Sequence, residues 1–130
     1  MAKNDLNWHT TEAHFLEALL LATGGEGSVP LQEVLLMADA IDGTVFTLDE
    51  VAQAMLKLLA AGLLTIQKNK LIITQEALSL IGSEAEVEKD RLLILLQTRE
   101  LTPESVSEAE AVLKRYKLKN YYQQYVEQFG

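Results

Sequence analysis

Two histidines, a short comb of acids and two groups of basic side chains are the residues whose types could carry chemistry in this chain. His9 and His14 stand five positions apart, and on a helix that spacing turns them well away from one another. With Glu12 they lack the spacing by which a helix presents two imidazoles to zinc, so no metal is expected and His14 reads as a half-buried helix residue. Glu84, Glu86, Glu88 and Asp90 alternate along a predicted helix, and alternate positions do not converge on one atom as a general acid–base pair. The loop Gly24-Gly25-Glu26-Gly27-Ser28 has glycines enough for a phosphate cradle. It lacks the P-loop lysine, follows a helix rather than a strand, and would turn Glu26 toward the phosphate. A connector is the better reading. No Ser-His-Asp set, nucleophile elbow or dinucleotide loop is visible, and cysteine is absent. Neither an enzyme nor a bound cofactor is expected.

The basic residues fall in two places. Lys57, Lys68 and Lys70, with Gln53, lie in one stretch; Lys114, Arg115, Lys117 and Lys119 lie in another, beside Tyr116, Tyr121, Tyr122, Tyr125 and Phe129. Basic residues interleaved with aromatics can bind single-stranded nucleic acid by charge and stacking. The structural account is simpler. Cations in a helix's last turn offset its negative end, and the aromatics supply area with which the tail docks on the core or on a second subunit. Tyr116, Tyr121, Tyr122, Tyr125 and Phe129 are therefore expected to form a docking or dimer surface.

These groups belong to a chain of 130 residues with 48% hydrophobic content and a net charge of −8. That length can bury a core, and the composition is that of a globular protein rather than a disordered one. Residues 1–83 hold four basic against ten acidic side chains, and residues 84–130 hold seven against nine. An acidic surface repels nucleic acid at long range, so DNA is disfavoured as a partner unless a local basic patch intervenes. The N-terminal residues MAKNDLNWHTT have no apolar core of a leader, and no apolar run reaches the roughly 18 residues of a membrane span. A cytoplasmic protein without membrane contact is expected.

The elements that must position these residues centre on TLDEVAQAMLKLLAAGLLTIQKNKLIIT, residues 47–74. Thr47 and Glu50 make a capping box, and Leu48, Val51, Ala52, Met55, Leu58 and Leu59 recur at helical spacing. Phe46 is placed to staple onto Val51. Asp49, Glu50, Gln53, Ala54, Lys57 and Ala61 then face outward. Gly62 supplies a left-handed stop, and residues 63–68 and 70–74 read as strands around a turn at Asn69. Upstream, Trp8 is a candidate anchor for a tail of residues 1–10. Thr10 or Thr11 caps a helix to Thr23 with Phe15, Leu16, Leu19 and Leu20 inward. Ser28-Val29 suits a short strand, and Pro30 fits the first turn of a helix burying Leu31, Val34, Leu35 and Ala38. Downstream, Thr74 caps a short helix ended by Gly82, and Ser83 with Glu86 forms another capping box. Thr102 with Pro103 starts a helix carrying Val106, Ala109, Leu113 and Tyr116, Leu101 stapling onto Val106, and residues 120–129 form the last helix.

The run LLAAGLLTIQKNKLIITQEALSLI resembles a winged helix-turn-helix domain of the MarR-like or general bacterial regulator type. Ala61-Gly62-Leu63-Leu64 is similar to the helix end and first wing strand, Ile72-Ile73-Thr74 to the second, and Gln75-Glu76-Ala77 to the opening of the next helix. The resemblance covers residues 11–81, slightly over half the chain, and departs from the family in a short wing without arginine and in a long connection over residues 42–46. It implies a mainly α fold with a small β-hairpin: a winged-helix domain over residues 11–82 and a C-terminal helical extension over 83–130. The fold serves DNA binding and protein docking alike. In the DNA-binding members the third helix enters the major groove, so the resemblance implies contacts from Gln53, Lys57, Lys68 and Lys70 in a homodimeric transcriptional regulator with helices about 34 Å apart. Asp49 and Glu50 oppose that use. A regulatory or protein-interaction module with a poorly DNA-adapted helix is the favoured reading, and the DNA-binding regulator is the alternative. A ligand sensor comes third, since no convergent polar set marks a pocket.

Overall fold

A computed structural model of the chain describes residues 7–82 and 89–129. The described residues form α1 (Thr10–Thr23), β1 (Ser28–Val29), α2 (Leu31–Asp42), α3 (Leu48–Ala60), β2 (Leu64–Gln67), β3 (Lys70–Ile73), α4 (Gln75–Ile81), α5 (Lys89–Leu96), α6 (Pro103–Tyr116) and α7 (Leu118–Phe129). The fold is mainly α with one small antiparallel sheet. Its strand order is β1-β3-β2, with Val29 opposite Leu71 and Ile66 opposite the same residue from the other side. The capping box expected at Ser83 and Glu86, and the acids at 84, 86 and 88, lie outside the described residues.

Helix α1 is the centre of the packing. It touches α2, α3, α5, β1 and β3, and Ala13, Phe15, Leu16, Ala18 and Leu19 are fully buried. The single stripe expected from periodicity widens because α5 covers a second side. Its cap is His9 rather than Thr10 or Thr11: the His9 N–H donates to Glu12 Oε1 at 2.6 Å. Trp8 does anchor the segment before it, burying its ring and donating from Nε1 to the Arg99 carbonyl at 2.8 Å.

Local signals place α3 and the hairpin. Thr47 Oγ1 accepts from the Glu50 N–H at 3.1 Å, and the Glu50 carboxylate accepts from the Thr47 N–H at 2.9 Å. At the other end Gly62 takes φ 76°, with Gly62 N–H donating to Leu59 O and Leu63 N–H to Leu58 O, a Schellman ending that needs the left-handed residue. Thr74 then locks the hairpin to that ending: its hydroxyl donates to Gly62 O at 2.7 Å and accepts from the Ala77 N–H, capping α4. Two details differ from expectation. The turn is a two-residue one with both Lys68 (φ 52°) and Asn69 (φ 64°) left-handed, so Lys68 leaves the strand, because that turn matches the twist of paired strands. Pro30 caps α2 from outside, in extended backbone, instead of occupying its first turn.

One hydrophobic cluster runs from Trp8 to Tyr125, joining both halves of the chain. Helix α6 starts as expected, with Thr102 accepting from the Ser105 N–H and Leu101 and Val106 both buried. It packs along α3, and α7 packs on α2 and α3. Lys117 links them in left-handed backbone (φ 61°), and α7 begins at Leu118, two residues earlier than expected. Among the described residues no helix is long and apolar enough to cross a membrane.

Candidate interaction surface

Helix α3 carries the residues expected to meet a partner, and its surroundings decide what they can do. Asp49 is exposed, and Glu50, Gln53 and Ala61 are partly exposed, but Ala54 and Lys57 are not the outward positions their spacing suggested. Lys57 is 1% exposed. Its Nζ donates to the Asn7 carbonyl at 2.8 Å and lies 3.4 Å from Glu12 Oε1, the two side chains being equally buried. The reason is that α3 has more than one buried face. Helix α1 and the segment before it close over the Lys57 side, α6 covers another, and β2 and α7 add to the enclosure. A lysine near the C-terminal end of α3 and a glutamate in the first turn of α1 also sit at the helix ends that favour their charges. A depression of about 310 Å³ above the pair is lined by His9, Thr11, Asp49, Glu50 and Gln53 as well. His14 is buried, with its ring edge-on to Phe46 at 5.9 Å and Nε2 3.4 Å from the Thr44 hydroxyl. Among the described residues no group of three acids or histidines could hold a metal ion.

Gln53 also borders a second hollow, on the α6 side. This groove has a volume of about 670 Å³ and an apolar floor of Ala52, Leu56, Ala111, Leu113 and Leu118. Lys114, Lys117 and Lys119 stand along it, with Glu110 as its acid. No family model, curated protein or solved structure matches the chain.

The turn between β2 and β3 lies beside the junction of α6 and α7. Asn69 lines a hollow of about 360 Å³ together with Arg115, Lys117, Asn120, Tyr121 and Gln124. Lys68 and Lys70, on either side of Asn69, are exposed, as are Lys114, Arg115, Lys117 and Lys119. The turn that Lys68 and Lys70 flank thus shares a hollow with Arg115 and Lys117, so two basic stretches far apart in sequence come together. Sequence reasoning missed this meeting, since nothing local to residues 68–70 or 114–119 signals it.

Most of the C-terminal aromatics are occupied within their own chain. Tyr116 and Tyr121 stack at 4.7 Å with 16° between planes, and the Tyr122 hydroxyl donates to Phe46 O at 2.6 Å. Tyr125 is buried against Tyr122 and Phe129, while Phe129 is 48% exposed. Tyr116 Oη is buried and has no hydrogen-bond partner among the described residues. Burial, with the Tyr121 phenol adding, pushes its hydroxyl well above the ordinary value of 10.0, so it stays protonated. Burial raises the Tyr125 phenol too, with the Asp39 carboxylate and the Tyr122 phenol adding.

Proposed function

We propose that this protein is a non-enzymatic winged-helix module, cytoplasmic and regulatory, that acts by binding a protein partner rather than by reading DNA. The order α1-β1-α2-α3-β2-β3, with a hairpin after the third helix and a two-residue strand pairing with it, supports the winged-helix reading. One observation carries the functional reading. The helix that would enter a major groove is enclosed: α6 lies along it, and Lys57, its basic side chain, is buried against Glu12. The charged side chains that α3 still offers to solvent are Asp49 and part of Glu50, which a phosphate backbone repels. That His9 caps α1 and His14 packs on Phe46 supports a structural reading of both histidines.

The alternative, a DNA-binding regulator acting as a homodimer, draws support from the exposed Lys68 and Lys70 beside Arg115 and Lys117. Both readings are tested by titrating labelled mixed-sequence duplex DNA with the protein at low and moderate salt, with the mass measured in the same buffers. The interaction module gives no saturable binding even at low salt, where charge attraction is strongest. Salt-steep binding by a dimer, lost in Lys68→Glu/Lys70→Glu, would establish the regulator instead.

A further inference from the structure

We infer that the groove between α3 and the α6–α7 corner is the docking site for an acidic amphipathic helix of a partner protein. The inference rests on the reading of the protein as an interaction module and specifies the partner's chemistry. Exposed Ala111 and partly exposed Leu113 and Ala52, over the buried Leu56 and Leu118, form an apolar floor between α3 and α6, in a volume of about 670 Å³. A hollow bounded by two helices accepts a third by ridge-into-groove packing, with apolar side chains at i, i+3, i+4 and i+7 entering it. The charge at its edge selects the sign. Lys114, Lys117 and Lys119 are exposed along it against a single acid, Glu110, in a protein whose net charge is −8. Carboxylates flanking the apolar stripe of an incoming helix would meet these ammonium groups, speeding encounter and fixing orientation.

The same observations disfavour nucleic acid as the occupant. Binding a single strand requires aromatic faces on which bases stack, and Tyr116 and Tyr121 are stacked on one another. The groove floor is aliphatic, and offers neither stacking faces nor a ladder of hydrogen-bond donors.

The test uses the full chain and a labelled synthetic peptide of about five helical turns. Leucines follow the i, i+3, i+4, i+7 pattern and glutamates flank them; a scrambled peptide of identical composition and an oligothymidylate are the comparators. The expected result is salt-sensitive binding of the patterned peptide, at least about tenfold tighter than the scrambled one. Ala111→Glu, which puts a charge on the exposed side of the floor, and Lys114→Glu/Lys119→Glu should each abolish that preference. Lys68→Glu/Lys70→Glu, outside the groove, should keep it. Circular dichroism and thermal unfolding check that each variant folds. Equal binding of both peptides, tighter binding of the oligothymidylate, no binding at all, or a dimer dissociated by Ala111→Glu would overturn the inference. Duplex DNA titrated alongside separates the two levels. Peptide failure without DNA binding sinks the groove assignment alone, whereas saturable duplex binding sinks the interaction-module reading beneath it.

Discussion

Two sides of α3 put the same side chain to opposite uses. On the α1 side the Lys57 ammonium is held under Glu12 and the Asn7 carbonyl, away from water. On the α6 side Lys114, Lys117 and Lys119 stand in solvent around an apolar groove. A buried charge is tied to one geometry, because leaving its partner unpaired is costly, and it is poorly screened by salt. An exposed lysine adds little to stability, keeps its freedom and can be recruited by an incoming carboxylate. Lysine content alone therefore says little about binding; the enclosure of each lysine decides it.

The largest effect should come from breaking the buried side. Lys57→Ala leaves the Glu12 carboxylate buried without its cation and should cost about 3–5 kcal/mol in urea unfolding. The double change Lys57→Met/Glu12→Gln, which removes both charges while keeping volume, should recover much of that loss. Lys114→Ala, on the open side, should stay within about 0.5 kcal/mol. Equal effects at the two positions would erase the contrast.

Thr74→Ala should cost about 1–2 kcal/mol, since one hydroxyl both caps α4 and closes the end of α3 through Gly62 O. Far-ultraviolet circular dichroism during urea unfolding would report it.

Lys117 sharpens the comparison because it serves the backbone and the groove at once. Its left-handed φ of 61° is strained for a side-chain-bearing residue, so Lys117→Gly should stabilise by up to about 1 kcal/mol. The same change should weaken binding of the patterned acidic peptide. A variant that becomes more stable yet binds less well would separate folding from docking in a single position.

Tyr116 gives a small effect at neutral pH and a distinctive one in base. Its buried hydroxyl has no partner among the described residues, so Tyr116→Phe should be neutral or stabilising by up to about 1 kcal/mol. The folded phenol is raised above the unfolded one, so its contribution is intact below pH 10. As pH rises past that point the unfolded chain releases the proton while the folded chain retains it, and stability falls. Tyr116→Phe should flatten this part of the alkaline decline in unfolding free energy.

What was legible in the sequence was what a few neighbouring residues determine. Thr47, Thr74 and Thr102 cap helices through bonds spanning three residues, and Gly62 ends α3 by a conformation glycine adopts freely. The errors at His9, Pro30 and Lys68 are shifts of one residue at element ends, where competing local bonds differ little. The burial of Lys57 departs from its helical spacing for another reason: its partner Glu12 lies 45 residues away and its enclosure depends on tertiary packing. The run Met55-Leu56-Lys57-Leu58-Leu59, apolar on both sides, carried a hint of that burial. The meeting of the β2–β3 turn with the α6–α7 corner has no local signature at all.

On the proposed reading, α3 is closed to DNA while the groove beside it is open to an acidic helix. The most direct measurement is a nuclear magnetic resonance titration of the nitrogen-15-labelled protein at low salt, first with duplex DNA and then with the patterned peptide. The Asp49, Gln53 and Lys57 amides should show no saturable movement with DNA, and those of Ala111, Lys114 and Lys119 should move saturably with peptide. Saturable DNA-induced shifts along α3 would contradict it.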